Sequence, residues 1–357
     1  MPYPPLPNQL PARLQDIPAP QARLCLDVGR FMTEQLAGTG CISSEQALSS
    51  APLNGYTMLA ACSGGADSTA LLLILHYLAP RMGHTVVAVH LDHALRQESA
   101  DDARFVSQLC SAAGIRLFSV RTDVADLAAA GRCGLEEAGR KARYAFYAKT
   151  AALFSRPVIC TGHHADDLKE DVLMRLIRGA GWPALGGMQA VIPERSLLRP
   201  LLVTEKNKLT TFLEACRCPW REDASNSDLS FTRNRIRNTI IPLLQQENPS
   251  FGTTITELWE AAAADRDYWA DVLPELAPDK NGQIFIARST LQGLHKAGRL
   301  RLYKKALEAL GAGQPLHASI MALEHAWHRN QGGKCIQFPG GKTARIRHGG
   351  ICFCLTA

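Results

Sequence analysis

The sequence contains no C-x-x-C, although eleven of its 357 residues are cysteine. Zinc and iron–sulfur sites of the usual spacing are therefore not expected. The cysteine count is odd, and most cysteines stand alone (Cys25, Cys41, Cys62, Cys110, Cys133, Cys160, Cys335). That pattern excludes a disulfide framework and predicts reduced thiols in a cytosolic protein. The close pairs, Cys216/Cys218 and Cys352/Cys354, are C-x-C. No run approaches the roughly 18 apolar residues of a membrane span. Met1 to Pro20 holds seven prolines and no apolar h-region, so neither membrane nor export is expected. Low-complexity blocks are also missing, and 46% apolar with 20% charged residues describes a packed chain.

Net charge is missing from the front of the chain and present at the back. Residues 1–228 hold 23 basic and 23 acidic side chains, whereas residues 229–357 hold 16 and 10. A basic last third suits contact with a polyanion, and a solvated surface explains the modest excess nearly as well.

Residues 1–20 read as an extended or mobile arm, Pro20 to Leu36 as an amphipathic helix, and Gly38 to Gly55 as loop. From Thr57 the pattern alternates. Strands are expected over Thr57–Cys62, Thr85–Leu91, Arg116–Thr122 and Val158–Thr161. Helices are expected over Ser68–Leu78, Ser99–Ala113, Val124–Ala130, Leu135–Phe154 and Ala165–Arg178. This alternation predicts an α/β fold with a parallel sheet, which binds ligands at the carboxyl ends of its strands. Gly179–Gly187 reads as a loop. Helices are then expected over Arg233–Gln246, Thr253–Trp269, Leu291–Leu310 and Leu316–His328, and short strands within Lys334–Leu355. The expected domains are an arm and helix at 1–55, a catalytic domain at 56–228 and a smaller α+β domain at 229–357.

Ser63-Gly64-Gly65-Ala66-Asp67-Ser68 follows an apolar strand and opens an apolar helix. Two glycines let backbone approach an anion, the helix N-terminus offers N–H groups, and two hydroxyls can donate to phosphate oxygens. The plainer alternative is a tight turn in which Ser63 or Asp67 caps the helix. Asp67 would repel a triphosphate unless a divalent cation bridged them, and magnesium is the natural mediator. The loop is not a Walker loop, because G-x-x-x-x-G-K-[ST] is absent.

Further on, Asp167, Glu170, Asp171, Met174 and Arg178 share one helical face. Three carboxylates on a stripe suit a bound cation or ammonium group; a solvated acidic face at a helix start is the alternative. His163 and His164 precede that helix at a strand end and are acid–base candidates. Arg140 and Arg143 could clamp phosphate or pair with Glu136 and Glu137. Arg233, Arg235 and Arg237, with Asn234 between, open the basic third. Alternate arginines cannot all share one helix face, so at least one is expected to anchor the domain junction while the others meet RNA phosphate.

The Ser63–Ser68 loop resembles the SGGxDS loop of the ATP pyrophosphatases, which split ATP between its α and β phosphates and activate the substrate as an adenylate. Three further segments narrow the resemblance: Val89-His90-Leu91-Asp92-His93-Ala94-Leu95-Arg96, Leu135-Glu136-Glu137-Ala138-Gly139-Arg140-Lys141-Ala142-Arg143-Tyr144, and Thr161-Gly162-His163-His164-Ala165-Asp166-Asp167-Leu168-Lys169-Glu170-Asp171. With Arg199-Pro200-Leu201-Leu202, Trp220-Arg221-Glu222-Asp223, Asn226 and Arg233-Asn234-Arg235-Ile236-Arg237, their order is similar to the tRNA(Ile)-lysidine synthase family. The likeness covers about residues 56–357, most strongly to about 245.

That resemblance implies a Rossmann-like, adenine nucleotide alpha-hydrolase-like PP-loop domain followed by a smaller tRNA-binding domain. It implies attachment of L-lysine to C2 of the wobble cytidine of a CAU-anticodon isoleucine tRNA, with ATP and Mg2+. Ser63, Gly64, Gly65, Ala66, Asp67, Ser68, His90 and Asp92 would bind ATP, with Asp67 placing the metal. Asp167 and Glu170 would bind the lysine ammonium. His163, Arg143 and Arg178 would offset charge at the α-phosphate, and Arg233, Asn234, Arg235 and Arg237 would meet tRNA. A homodimer is an assembly open to it.

The sequence departs from the family at Leu168-Lys169 and Asp171. Lys169 is expected to point away from the acidic stripe, and Asp171 to add charge beside the amine pocket. The N-terminal arm reads as an addition, and the second C-terminal domain of longer relatives as missing. Rival readings are a tRNA 2-thiolation enzyme, which usually carries C-x-x-C, and a tRNA-binding relative without catalysis. An amidotransferase-type synthetase is disfavoured because only about 60 residues precede the loop.

Overall fold

The computed structural model describes residues 10–37, 55–94, 99–221 and 230–356. Packing divides the chain into two units, Met1–Ala180 with Gly186–Trp259, and Gly181–Leu185 with Glu260–Ala357.

In the first unit, α1 (Ala19–Ala37) precedes an alternation of β1 (Thr57–Ala61), α2 (Ala66–Met82), β2 (Thr85–Asp92), α3 (Ser99–Ala112) and β3 (Arg116–Arg121). It continues with α4 (Val124–Gly131), α5 (Leu135–Ala151), β4 (Pro157–Cys160), α6 (Ala165–Ile177), β5 (Val191–Ile192), β6 (Leu197–Leu198) and α7 (Lys206–Ala215). A helical stretch follows: α8 (Thr232–Arg235), a π-helical turn (Ile236–Ile240) and α9 (Ile241–Glu247). α10 spans Phe251–Val272.

The strand order is β3-β2-β1-β4-β6-β5. All neighbours are parallel except β5, which runs antiparallel to β6. The chain winds outward from β1 to β3 and then crosses back to β4, so the winding reverses between β1 and β4. A crevice opens there at the carboxyl ends of the strands. Successive β1 side chains enter opposite layers, as the two-residue strand period requires. Met58 and Ala60 join the core with α1, α2, α3 and α7, while Leu59 packs with Tyr147 and Ala151 of α5.

The second unit adds β7 (Ile284–Ala287), α11 (Arg288–Gly293), α12 (Lys296–Ala309), α13 (His317–His328), β8 (Cys335–Phe338), β9 (Lys342–Arg347) and β10 (Gly350–Leu355). Its antiparallel sheet has the order β7-β10-β9-β8.

Several expectations change. The described part of the N-terminal arm is not extended: Leu14–Asp16 forms a 3-10 turn and Ile17 is buried in the first core. The helix expected over Leu291–Leu310 is two helices. Leu294 is extended, and His295 caps α12 by accepting the Ala297 N–H on Nδ1 at 3.2 Å. The helix expected over Arg233–Gln246 widens into the π turn just before Pro242, which has no N–H to give to the preceding turn. β5, β6, α7 and β7 were not among the expected elements; the two-residue strands are too short for a period to repeat, whereas α7 does place Leu209, Phe212 and Leu213 at helical spacing.

The unit division falls after Trp259 rather than at the composition shift near 228. Trp259 donates its indole N–H to Met188 O at 2.9 Å and packs near Phe31, which holds that segment to the first unit. Leu95-Arg96, Glu222, Asp223, Asn226, residues 1–9 of the proline-rich arm and residues 38–54 of the expected loop lie outside the described residues.

Candidate active site

The Ser63–Ser68 loop joins β1 to α2 at the crevice. Gly64 has φ +93°, and a Cβ there would stand 3.3 Å from both Arg221 Cγ and Phe105 Cδ1, so only glycine fits. Ser68 Oγ donates to Gly65 O at 3.0 Å and accepts the Ser63 N–H at 3.1 Å. Its one proton is thus committed, and the 3.1 Å contact between hydroxyls makes Ser63 Oγ the donor to Ser68 Oγ. The first turn of α2 leaves backbone N–H groups without intrahelical partners, and they open toward the crevice. This is a cradle for an anion.

β4 closes the other side. A Cβ on Gly162 would lie 3.1 Å from Asp67 C and 3.2 Å from Asp67 O and Ser68 N, so the strand end runs hard against the first turn of α2. His164 then caps α6. Its Nδ1 accepts the Asp166 N–H at 3.2 Å, which leaves the proton on Nε2. That nitrogen lies 3.3 Å from Asp67 Oδ2 and 3.5 Å from Asp167 Oδ2. One imidazole therefore links the loop carboxylate to the acidic helix. Burial lowers the His164 pKa, but the Asp67 hydrogen bond and the surrounding carboxylates outweigh it and raise the value. Burial likewise opposes ionisation of Asp67, yet His164, Lys206 and Arg237 hold its pKa below the usual carboxylate range.

His163 differs from its neighbour. Burial pushes its pKa down to about 4, against Asp167 and with Arg199 and Arg233 adding to the shift. It is neutral at pH 7, hydrogen-bonded through Nδ1 to Thr161 Oγ1 at 2.9 Å. At the end of β2, His90 Nδ1 donates to Cys62 O at 2.8 Å, tying this strand to the residue before the loop. Its buried Nε2 has no partner among the described residues. Asp92 accepts the Ala94 N–H at 2.9 Å, and Arg143 donates to His93 Nε2 at 3.2 Å. His90, Asp92 and, through His93, Arg143 thus gather at the end of β2, where His90 meets Cys62.

The acidic stripe forms, with partners the sequence did not predict. Glu170 is fully buried. Its Oε2 accepts from Arg233 Nε at 2.6 Å, and its Oε1 from Arg237 Nε at 2.5 Å. Arg233 Nη2 also donates to Asp167 Oδ1 at 2.7 Å. Arg233 and Arg237, four apart, share a face turned to carboxylates, where an RNA contact was expected of them. Arg235 lies on another side, donating to Ser230 O at 2.7 Å and Thr232 Oγ1 at 3.0 Å. Asp171 is paired with Arg175 at 2.7 Å. Lys169 is buried and ion-paired with Asp166, off the stripe of Asp167, Glu170 and Asp171. Arg178 is exposed at the far end of α6, about 16 Å along the axis from Asp167, and is not gathered with the others.

Two cations beside the loop carried no role in the sequence reading. Lys206 Nζ stands 4.0 Å from Asp67 Oδ2. Arg221 donates its backbone N–H to Gly64 O at 2.8 Å and its Nε to Asp102 Oδ1 at 2.5 Å. Lys206 starts a short helix with no motif, so spacing alone gave no signal. Arg221 lay in a segment quoted for its resemblance, and only the tertiary contact shows which element it braces.

A strand–loop–helix anion cradle at the winding reversal of a parallel sheet defines a class of nucleotide-binding domains, and residues 42–244 match the family described as the PP-loop domain. The solved U34-tRNA thiolase of Methanococcus maripaludis, determined with its [4Fe-4S] cluster, has a similar fold. The TM-score is 0.50 at 15% identity, covering 66% of this chain and 79% of that one. Among curated proteins, the tRNA(Ile)-lysidine synthase of Nitratidesulfovibrio vulgaris is 46% identical over 313 residues, 82% of this chain and 90% of that protein. The synthase of Geobacter sulfurreducens is 37% identical over 259 residues, 71% of this chain and 55% of that protein. The chain spans about half the length of this second relative. It belongs to the tRNA(Ile)-lysidine synthase family, whose members are ATP-dependent ligases that form a carbon–nitrogen bond.

Proposed function

We propose that this protein converts the wobble cytidine of a CAU-anticodon isoleucine tRNA to lysidine. In the first step the cytidine C2 oxygen attacks the α-phosphate of ATP, forming the C2–O–AMP adenylate and releasing pyrophosphate. In the second, the ε-amine of L-lysine attacks C2, the C–O bond breaks and AMP leaves, with one proton lost from the amine. The observation that carries the reading is the His164 link, which sets the anion cradle and the Asp167 carboxylate within one imidazole of each other. A nucleotide and an amine need that proximity to react in sequence.

Ser63, Ser68 and the N–H groups of Gly64 to Ser68 hold the β and γ phosphates, with Lys206 adding charge. The buried Asp67 Oδ1 has no hydrogen-bond partner among the described residues, and its carboxyl is ionised at pH 7. These properties fit Asp67 as the residue that would hold a Mg2+ brought in with the nucleotide. Such an ion would neutralise charge on the leaving pyrophosphate. His90 and Asp92 border the nucleotide, and neutral His163 with Arg143 faces the α-phosphate.

Asp167 is the more accessible carboxylate of the amine site, and Glu170 orders Arg233 and Arg237 behind it. The basic last third contacts the tRNA, with Arg235 as the outward member of its arginine set. The cytosol, where ATP and tRNA meet, is the compartment. Light scattering tests for a homodimer.

The test is ATP-dependent incorporation of labelled lysine into unmodified CAU isoleucine tRNA, with initiator methionine tRNA as control. Incorporation into the first alone is expected. Pyrophosphate release without lysine incorporation would overturn the amine assignment and leave adenylation to another nucleophile, sulfur included.

A further inference from the structure

Arg199 follows β6 and has no role in the site described so far. β4 and β6 pair in parallel with Cys160 opposite Leu198, and Thr161 donates its N–H to Leu198 O at 3.1 Å, so Arg199 comes next, beside Thr161. Thr161 is the residue whose hydroxyl meets His163 Nδ1. Arg199 therefore stands at the carboxyl ends of the strands, where a parallel sheet binds its ligands. Ile159 and Leu197 pack with Tyr147 and Ala151 of α5, whereas Cys160 and Leu198 enter the opposite core. By the two-residue period Arg199 takes the α5 side of the sheet.

The side chain is a buried charge without a counter-charge. Arg199 is 8% exposed, and no carboxylate pairs with it among the described residues. Asp171, whose charge reaches it, is paired with Arg175 at 2.7 Å. Burial lowers the Arg199 pKa, and Arg140 and Arg175 add to the shift against Tyr144 and Asp171, yet a guanidinium remains charged at pH 7. Nη1 donates to Gln189 O, and the backbone N–H donates to Ala190 O at 2.8 Å. Nε is buried without a hydrogen-bond partner, and Nη2 has none among the described residues. Nε and Nη2 form one edge of the guanidinium, the edge that grips two oxygens of a carboxylate or phosphate side by side. The carbonyl on Nη1 ties the strand end to Gln189, but it leaves both the charge and this edge unmet. An oxyanion on the edge satisfies both.

The sheet order β1-β4-β6 indicates which oxyanion. β6 lies two strand spacings, about 10 Å, from the strand that leads into the Ser63–Ser68 loop, and His163 follows the strand between them. A nucleotide with its β and γ phosphates on the loop and its α-phosphate at His163 reaches toward Arg199. We propose that Arg199 is a further catalytic residue, donating from Nε and Nη2 to two non-bridging oxygens of the α-phosphate. Those oxygens gain charge as the cytidine oxygen bonds to phosphorus and the bond to pyrophosphate breaks, with its electron pair leaving on the pyrophosphate. The inference rests on the adenylation reading above and adds to it a residue for the first step. The carboxylate of lysine is the other oxyanion of the reaction, and the experiment separates the two.

The experiment compares the full-length chain with Arg199→Gln and Arg199→Lys. Calorimetric titration gives the dissociation constants of AMP, which carries the α-phosphate alone, and of adenosine, which lacks it. In Arg199→Gln, AMP should bind about 10- to 100-fold more weakly while adenosine keeps its affinity. Arg199→Lys, with the charge but not the fork, should fall between, and it carries the same comparison if the glutamine variant does not fold. Pyrophosphate release that depends on tRNA should drop at least about 100-fold in Arg199→Gln, with the KM for lysine within about twofold of the parent's. Parental AMP affinity would overturn the inference. Equal weakening of AMP and adenosine would also overturn it, leaving Arg199 as a brace for the loop at Gln189. A raised lysine KM with parental discrimination between AMP and adenosine would give the edge to the lysine carboxylate instead. Absence of lysine incorporation by the parent protein would overturn the lysidine reading, a result on which the nucleotide titrations do not depend.

Discussion

Replacing Glu170 by glutamine keeps shape and removes one charge from a site where two guanidiniums converge. Arg233 contacts it at 2.6 Å, and Arg237 at 2.5 and 3.1 Å. Removing one partner of a buried ion pair costs roughly 3–5 kcal/mol. Here the Glu170 side chain is 1% exposed, but Arg233 is 47% and Arg237 31% exposed, so water can rehydrate both. Asp167 also keeps its 2.7 Å contact with Arg233. The discounted loss is about 2 kcal/mol, which lowers the melting temperature of a unit this size by about 4–8 °C. Calorimetry at pH 7 reads it directly. Adding Arg237→Gln should recover at least about 1 kcal/mol relative to the sum of the single losses, because the stranded charge goes with its partner. Lysine incorporation should fall at least tenfold in the single variant. A glutamine variant that melts within about 1 °C of the parent would refute the view that this carboxylate holds the two arginines.

Three other substitutions test separate parts of the site. Gly162→Ala puts a methyl 3.1 Å from Asp67 C and 3.2 Å from Ser68 N, forcing the first turn of α2 to shift. ATP affinity by calorimetric titration should fall about tenfold, or about 1.4 kcal/mol; parental affinity would mean the cradle tolerates the displacement. Asp67→Asn should raise the Mg2+ concentration for half-maximal pyrophosphate release at least tenfold, and an unchanged requirement would remove Asp67 from the metal site. Because burial lowers the His163 pKa to about 4, the unfolded chain binds a proton there below about pH 6.5 while the folded chain does not. Stability attributable to neutral His163 is therefore present above pH 6.5 and lost as pH falls toward 4, about 2 kcal/mol of it by pH 5. The parent should lose that much more stability than His163→Gln between pH 7 and pH 5 in urea melts. Equal losses would show that His163 does not titrate this way.

The alternation of β1 to β4 with α2 to α6 was legible because each element repeats its own apolar period over enough residues to be counted. The anion cradle was legible as well. Its glycines, hydroxyls and capping geometry are local, set by six consecutive residues between a strand and a helix. Spacing also placed Asp167 and Glu170 on one face, since a step of three residues nearly completes a turn of about 3.6.

What faced that stripe was decided only by folding. Arg233 and Arg237 come from 63 and 67 residues away to neutralise Glu170. Read as sequence, the same arginines were divided between a domain junction and RNA phosphate, because a charge does not announce which buried opposite charge will claim it. Lys206 reaches Asp67 and Arg221 reaches Asp102 in the same way, while the backbone N–H of Arg221 braces Gly64. Trp259 fixes the edge of the first unit through Met188 and Phe31, a packing contact that a shift in charge composition near residue 228 could not reveal. Periodicity is a property of neighbours along the chain, so the sequence by itself determined the alternation of β1 to β4 with their helices, the loop and the acidic stripe. Ion pairing and packing join residues far apart in the chain, so the tertiary structure alone decided how the stripe is neutralised and where the first unit ends.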